Sequence, residues 1–515
     1  MKRAKRASRP IPAKYLFTGA LLAACTSYFI YVFRINAVYI DNTVFHGFSA
    51  MLFGGNILTA AILFSLFLLQ AYRVQKNSVP VYTQKPFQVS AKIGFLFMGV
   101  FFLYVAFTMI FSDFEMRKRL LTAISASLPS FAALLCILLL VWGLPLIQKS
   151  AVKRGIALGL TCILAASAVF TLFPCHPYKF LADPMVIDNG KDYSVVFAAN
   201  DTGTGFVEYT YQGKSYKAFD EAAGRLKNSR IHTVRIPKAH LSGNTYRVGS
   251  TRILEERSYG GRSGKSLLSK DYTFTVPNGE TQTYLTVSDW HMHLQKAYDA
   301  IAYAGDYGGV ILLGDAVPGL ETEKDIAEYI VAFGGKVSRG VMPVLYVRGN
   351  HETRGPYAAA LPAYLGMDSF FYTADYGEYR FLLLDSGEDK KDSHPEYGGM
   401  VNYGAYRAEM VEWLEKLEKT EKKSITLVHD SDICIEEDLR EHAQAQLQKL
   451  GATEIISGHY HICKFEQENG FNIYTDGGFR DGQYIASKLT LSKEAYRLTA
   501  WNHNGEQVFE KEISW

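Results

Sequence analysis

Residues 281–293 read TQTYLTVSDWHMH. Threonine, tyrosine, leucine and valine favour extended backbone, and the run then breaks into Asp289, His291 and His293 at every second position. Were the strand to continue, these three side chains would project from one face. A carboxylate and two imidazoles in that register are metal-ligating types. The stretch is therefore a complete three-ligand site, part of a larger one, or a polar strand end.

The rest of the chain supports the second reading. Four more apolar runs end in the same residue types: VILLG in Asp315, VLYVRG in Asn350 and His351, ITLV in His429, and EIISG in His459 and His461. Segments with helical character alternate with these runs, among them 294–305, 323–337, 404–422 and 437–451. This predicts sheets covered by helices, with the ligand-type side chains gathered at the carboxyl edge, where layered α/β folds bind ligands. Imidazole nitrogen and carboxylate oxygen suit Mn, Zn or Fe. A pair of such ions activates water and clamps a phosphoryl group.

Five blocks carry a family resemblance: Asp289-Trp290-His291, Gly314-Asp315, Gly349-Asn350-His351-Glu352, His429 and Gly458-His459-Tyr460-His461. In this order they resemble the D-x-H, G-D, G-N-H-E, H and G-H-x-H blocks of the calcineurin-like metallophosphoesterases, over roughly 280–500. The strands VVFAAN, VEYTY, IHTVRIP and NTYRVGS ahead of them resemble the fibronectin-III-like N-terminal domain of purple acid phosphatases. The resemblance implies two divalent or trivalent metal ions. Asp289, His291 and His461 would hold one and Asn350, His429 and His459 the other, with Asp315 bridging. It implies hydrolysis of a phosphate-ester substrate by attack of a metal-bound hydroxide, with His351 catalytic, Glu352 behind the ligands and Arg354 reaching substrate. His293 has no counterpart among those ligands. It either begins the following helix as a structural residue or faces the substrate cleft. One departure stands out. Where purple acid phosphatases place a tyrosine three residues after the aspartate, this chain has Pro318, so a tyrosinate charge-transfer band is not expected.

The 515 residues carry a net charge of +3 and 48% hydrophobic residues, averages that conceal two unlike parts. Residues 1–173 hold 17 Lys/Arg against 3 Asp/Glu, leaving 37 against 48 for the remainder. The acidic remainder argues against nucleic acid as a partner. Apolar stretches at 15–33, 45–69, 93–111, 128–147 and 155–173 lack Asp, Glu, Lys and Arg, and each is long enough to cross a bilayer. Lys and Arg concentrate in 1–14, 70–92 and 148–154. This predicts a multi-pass protein of the cell membrane with a cytoplasmic N-terminus and an extracytoplasmic catalytic domain.

The expected organisation is thus multi-domain. A five-span α-helical membrane region covers 1–173, and an all-β sandwich covers 174–279. An α/β metallophosphoesterase domain covers 280–515, with the four layers the resemblance implies: two mixed sheets flanked by helices. In the sandwich, His232 reads as a strand surface residue. The Gly-rich loop 388–404 begins just after the strand end at Asp385 and offers His394, Tyr397, Asn402 and Tyr403 as substrate contacts; a plain surface loop is the alternative. Cys434 and Cys463 follow ligand positions closely enough for a disulfide to be considered. A non-catalytic polytopic sensor or assembly protein with a ligand-binding phosphoesterase body is the competing functional class.

Overall fold

The computed structural model describes residues 13–36, 43–75, 85–111, 114–140, 147, 150–172, 177–256, 261–477 and 482–515. Cys175 and the basic start of the chain at 1–12 lie outside these residues. The chain divides into two compact units, one holding the N-terminal helices and the other Tyr178–Glu256 with Gly261–Trp515.

The first unit contains the helices Ala13–Asn36, Thr43–Gln75, Lys85–Phe111, Phe114–Leu138 and Ser150–Leu172. Phe29, Leu52, Phe101 and Leu120 form a buried cluster among the first four, with Phe29 edge-on to Phe101 at 5.5 Å. Three of the helices are long and apolar enough to cross a membrane, in windows Tyr15–Val32, Ala50–Leu69 and Lys92–Phe111. The helix Phe114–Leu138 overlaps the expected span at 128–147 and carries Arg117, Lys118 and Arg119 in its first turns; residues 141–146 of that span lie outside the described residues.

The second unit is built on two sheets. Parallel strands Gln282–Val287, Gly309–Leu312 and Pro343–Tyr346 form the centre of the first. The antiparallel strands Ile485–Leu491, Ala495–Asn502 and Gln507–Ser514 extend it on one side. The second sheet places Tyr379–Leu383, Lys423–Leu427, Glu454–Ser457 and Phe471–Thr475 in parallel. Alternation along one strand shows why the layers form. Phe381 and Leu383 pack into a cluster shared with Val287, Leu312 and Tyr346 of the first sheet. Leu382 and Leu384 face the opposite way, onto Met410 and Leu414 of the helix Tyr403–Glu415 and Leu447 of the helix Glu437–Leu450. Trp413 packs against that second cluster.

The strands of 174–279 do not stand apart as a separate sheet. Met185–Asp188 pairs in parallel with Pro343–Tyr346, with Val186 opposite Pro343. It also pairs antiparallel with the 20-residue strand Asp192–Tyr211. That long strand pairs in turn with Lys214–Phe219, Ser229–Pro237 and Thr245–Glu256. Hydrogen bonding thus runs unbroken through a 13-stranded sheet. The short run MVID carries no alternation, which is why its pairing was not legible.

His232 is not on the surface. It is fully buried, its Nε2 lies 3.0 Å from Ser250 Oγ, and its Nδ1 is 3.6 Å from Asp220. The neighbouring Gly205 makes the room, since a Cβ there would stand 2.2 Å from His232 Cγ.

Candidate metal centre

The strand Gln282–Val287 stops where TQTYLTV meets SDWHMH, and the backbone then turns left-handed at Asp289 (φ 54°), His291 (φ 36°) and Met292 (φ 67°). Trp290 is the anchor of this turn. It is buried, stacks on Phe333 at 4.5 Å and donates Nε1–H to the Tyr329 carbonyl. Asp315, His459 and His461 are also left-handed. Five of the seven expected ligand residues therefore hold a conformation costly for non-glycine residues, a strain that concentrates at functional sites.

Three overlapping groups form from these side chains: Asp289, His291 and His461; His291, Asp315 and His351; and Asp315, His429 and His459. His429 Nε2 lies 3.2 Å from Asp315 Oδ2, His291 Nε2 lies 3.7 Å from the same oxygen, and His461 Nδ1 lies 3.7 Å from Asp289 Oδ1. Asn350 joins the third group. Its amide faces His429 Nε2 at 3.1 Å, His459 Nδ1 at 3.3 Å and Asp315 Oδ2 at 3.3 Å, with Nδ2 turned inward to donate and Oδ1 accepting from Arg354 Nη2 at 3.1 Å. Turned over, the amide would present Oδ1 to a cation beside the Asp315 carboxylate and the two rings. Asp289 Oδ1 is buried without a hydrogen-bond partner among the described residues. The donor set fits two metal ions.

Burial and the charges of neighbouring groups set the protonation of these side chains. Burial pushes the Asp289 carboxyl up to about 7. Burial disfavours charge on His429, yet Asp315 beside it outweighs this and raises the ring to about 10. Burial likewise opposes the Asp315 charge, but His429, His351 and His291 hold it well below the usual carboxylate range. A proton on His429 thus supplies part of the positive charge that a metal would bring, and metal binding would displace it. Burial lowers His291 to about 4, and it also lowers His459 and His461, keeping these rings neutral.

The surroundings orient the ligands. The Leu313 carbonyl lies 2.6 Å from His429 Nδ1, which turns Nε2 inward. Asp289 Oδ2 accepts from Ser288 Oγ at 2.5 Å and from the His459 N–H at 3.0 Å. Glu352, fully buried, accepts three backbone N–H groups: Asp315 and Gly349 on Oε2, both at 2.8 Å, and Ala316 on Oε1 at 2.5 Å. One carboxylate thereby fastens the Gly314-Asp315 turn to the Gly349-Asn350 turn. Both glycines are needed for that approach. A Cβ at Gly314 (φ 90°) would lie 2.3 Å from Gly349 N, and one at Gly349 would lie 2.2 Å from Asp315 Oδ1.

His351 stands at the edge of the cluster, partly exposed, with Nε2 3.9 Å from Asp315 Oδ2. Its Nδ1 is 2.9 Å from the Pro318 carbonyl, so the residue that replaces the family tyrosine positions this ring through its backbone. The remaining expected substrate contacts are distributed as follows. Arg354 makes a fork to Glu388, with Nε–Oε1 2.9 Å and Nη2–Oε2 2.8 Å. His394 is exposed and its Nδ1 accepts from the Glu396 N–H. Tyr403 lies under Arg348, whose guanidinium carbon is 5.3 Å from its ring. His293 precedes the helix Leu294–Ile301, its ring 5.1 Å from Tyr484, and belongs to none of the three ligand groups. Cys434 and Cys463 are free thiols. Cys434 is buried with the outer helices, whereas Cys463 packs against the cluster shared by the two sheets. The two thiols therefore pack in different clusters, and the disulfide is not formed.

Two groups escaped the sequence reading. Glu388, buried, receives Thr353 Oγ1 at 2.6 Å, the Arg354 fork and the Tyr397 hydroxyl at 3.1 Å. Asp476, also buried, receives Thr286 Oγ1 at 2.7 Å, Ser487 Oγ at 2.8 Å and the Gly477 N–H at 2.8 Å. It bonds the two sheets together. The only sequence signal for Asp476 was an acid ending the run FNIYT.

Residues 283–463 match the family model described as Calcineurin-like phosphoesterase. This part of the chain is a calcineurin-like phosphoesterase domain. The match encloses all seven expected ligand residues together with His351. Solved structures similar to the chain include the purple acid phosphatase PPD1 of yellow lupin (Lupinus luteus), at 17% identity over 64% of this chain and 74% of that one, with a TM-score of 0.43. They also include GAP50, described as the anchor in the inner membrane complex of Plasmodium, at 13% identity over 46% and 89% with a TM-score of 0.35. The phosphopantetheinyl hydrolase of Mycobacterium tuberculosis is similar at 14% identity over 39% and 91% with a TM-score of 0.26. No curated protein matches the chain.

Proposed function

We propose that the protein is a membrane-anchored, outward-facing phosphoesterase that hydrolyses phosphate esters at a dinuclear metal site. The observation that carries this reading is the convergence of the Asn350 amide, Asp315 Oδ2, His429 Nε2 and the His459 ring, beside the Asp289, His291 and His461 group. Two ions held there would supply Lewis-acid activation of water and neutralise phosphate charge. Mn, Zn or Fe suits the mixed imidazole and oxygen donors. His351 is the group that handles the leaving oxygen. With Nδ1 committed to the Pro318 carbonyl, Nε2 is the nitrogen left to deliver or share a proton at the departing alkoxide. Glu352 and Gly349 keep the Asn350 and Asp315 turns in register.

The anchoring part of the proposal rests on the three apolar helices and on the lysine and arginine bias of the N-terminal part. We assign five passes, a cytoplasmic N-terminus and an extracytoplasmic catalytic domain to it. The three-part organisation 1–173, 174–279 and 280–515 and the four-layer α/β/β/α arrangement belong to the same reading.

The test is metal-dependent hydrolysis of an aryl phosphate by the full chain in detergent. Asn350→Ala is expected to lower kcat/KM by about 100-fold and to reduce bound metal. Full metal content with no hydrolysis of mono- or diesters would instead support the ligand-binding sensor.

A further inference from the structure

His293 was left without a role by the metal centre, and its surroundings supply one. The ring of Tyr484, buried at 5% exposure, is bordered by three basic groups. His293 lies 5.1 Å from it between ring centres, Lys296 Nζ lies 4.9 Å above it, and His503 lies 5.9 Å away. They come from separate places: the start of the helix Leu294–Ile301, and the turn between the strands Ala495–Asn502 and Gln507–Ser514. The Tyr484 N–H donates to His503 Nδ1 at 3.3 Å, so His503 in its neutral form carries its proton on Nε2. Among the described residues, none of the three has a carboxylate within salt-bridge distance, although 48 acids stand against 37 bases after residue 173. His293 and Lys296 are exposed. The cluster is also close in the chain to the expected ligand His291. Only Met292 separates His293 from His291, which limits their Cα separation to about 7 Å.

We propose that His293, Lys296 and His503 form an anion subsite beside the metal centre that binds the second phosphate of a diphosphate substrate. This deepens the phosphoesterase reading and rests on it. Lys296 contributes a fixed positive charge and the two imidazoles contribute N–H donors. The Tyr484 ring is the common surface that all three groups border. The terminal phosphate would lie against the residues of the expected metal centre and the inner phosphate against the subsite. In the reaction a water oxygen forms the new bond to the terminal phosphorus. The bridging P–O bond breaks, its electron pair leaves on the inner phosphate, and one proton is released. The products are inorganic phosphate and a monophosphate, and the subsite stabilises the charge that develops on the leaving phosphate.

The test uses the full chain in detergent, loaded with manganese. Release of phosphate from ADP and from farnesyl diphosphate is compared with release from p-nitrophenyl phosphate, in the unaltered protein and in Lys296→Ala. The readout is the ratio of kcat/KM for a diphosphate to that for the aryl phosphate. Loss of one charge-assisted contact is expected to lower this ratio about tenfold. A fall with ADP alone assigns the diphosphate to a nucleotide, and a fall with farnesyl diphosphate alone assigns it to a lipid. A ratio unchanged for both, including the case where all rates fall together, overturns the subsite. Calorimetric binding of methylenediphosphonate against methylphosphonate separates this inference from the phosphoesterase reading. Tighter binding of the diphosphonate that is lost in Lys296→Ala supports the subsite even where no ester is hydrolysed, and equal affinities overturn it.

Discussion

Single residues at this site act through what they accept. Glu352 and Asp476 are both buried carboxylates that take three donors each, yet their positions differ. Glu352 ties the Gly314-Asp315 and Gly349-Asn350 turns together, whereas Asp476, just past the strand Phe471–Thr475 of the second sheet, takes Thr286 and Ser487 of the first. Burial raises the Asp476 carboxyl to about 6, against the hydrogen bonds that favour its charge. Because the folded value lies above the unfolded one, this group stabilises the fold fully below about pH 4 and loses that contribution as pH rises through about 6. The loss is on the order of 2–3 kcal/mol. In Asp476→Asn this step should be missing from denaturant midpoints measured between pH 4 and 8. A step of the same size in the variant would assign it to another group. The identity of these acids was visible in the chain, but their partners were not, since 190 positions separate Asp476 from Thr286.

At the scale of elements, the loop after Asp385 is held at several points rather than lying free. Arg407, a fully buried residue of the helix Tyr403–Glu415, donates Nη1 to the Ser386 carbonyl at 2.9 Å. Its Nε and Nη2 make a fork to Glu436, both at 2.7 Å. Glu388 grips Thr353 and Arg354 from the other side. The loop is thereby tied both to the turn that carries Asn350 and to the chain that follows His429. Removing the guanidinium in Arg407→Ala leaves Glu436 unpaired and should cost about 3 kcal/mol. Hydrogen exchange across 386–402 should accelerate more than exchange in the sheet strands, and uniform acceleration would mean global unfolding instead. Helical periodicity made the element itself legible, but a buried arginine looks like a solvated one in a sequence.

The molecule as a whole gathers the seven expected ligand residues from the ends of five strands in two sheets, so metal bound there would be linked to folding of the second unit. Metal at 100 times its dissociation constant is expected to stabilise that unit by about 2.7 kcal/mol. Manganese should raise Tm of the full chain in detergent, and a chelator should reverse the rise. In Asn350→Ala the shift should shrink markedly, and an equal shift in both proteins would place the bound metal elsewhere. The strain at Asp289, His291, Asp315, His459 and His461 is sustained only because the surrounding sheets are well packed.

The amino-acid sequence by itself determined the ligand types, their order and the apolar runs that carry them. Each block is local, and a strand end followed by Asp or His reads the same in one dimension as in three. Only the tertiary structure decided what these blocks become together. It brought the Asn350 amide to face His429 and His459, joined Met185–Asp188 to Pro343–Tyr346, buried His232, and placed Cys434 and Cys463 in different clusters. The physical reason is that long-range pairing and burial depend on which faces meet, and faces are chosen by packing across hundreds of residues rather than by any short run. His293 marks the boundary between the two. Its spacing suggested a third ligand, but the left-handed turn at His291 and Met292 ended the strand's alternation and set it beside Tyr484 instead.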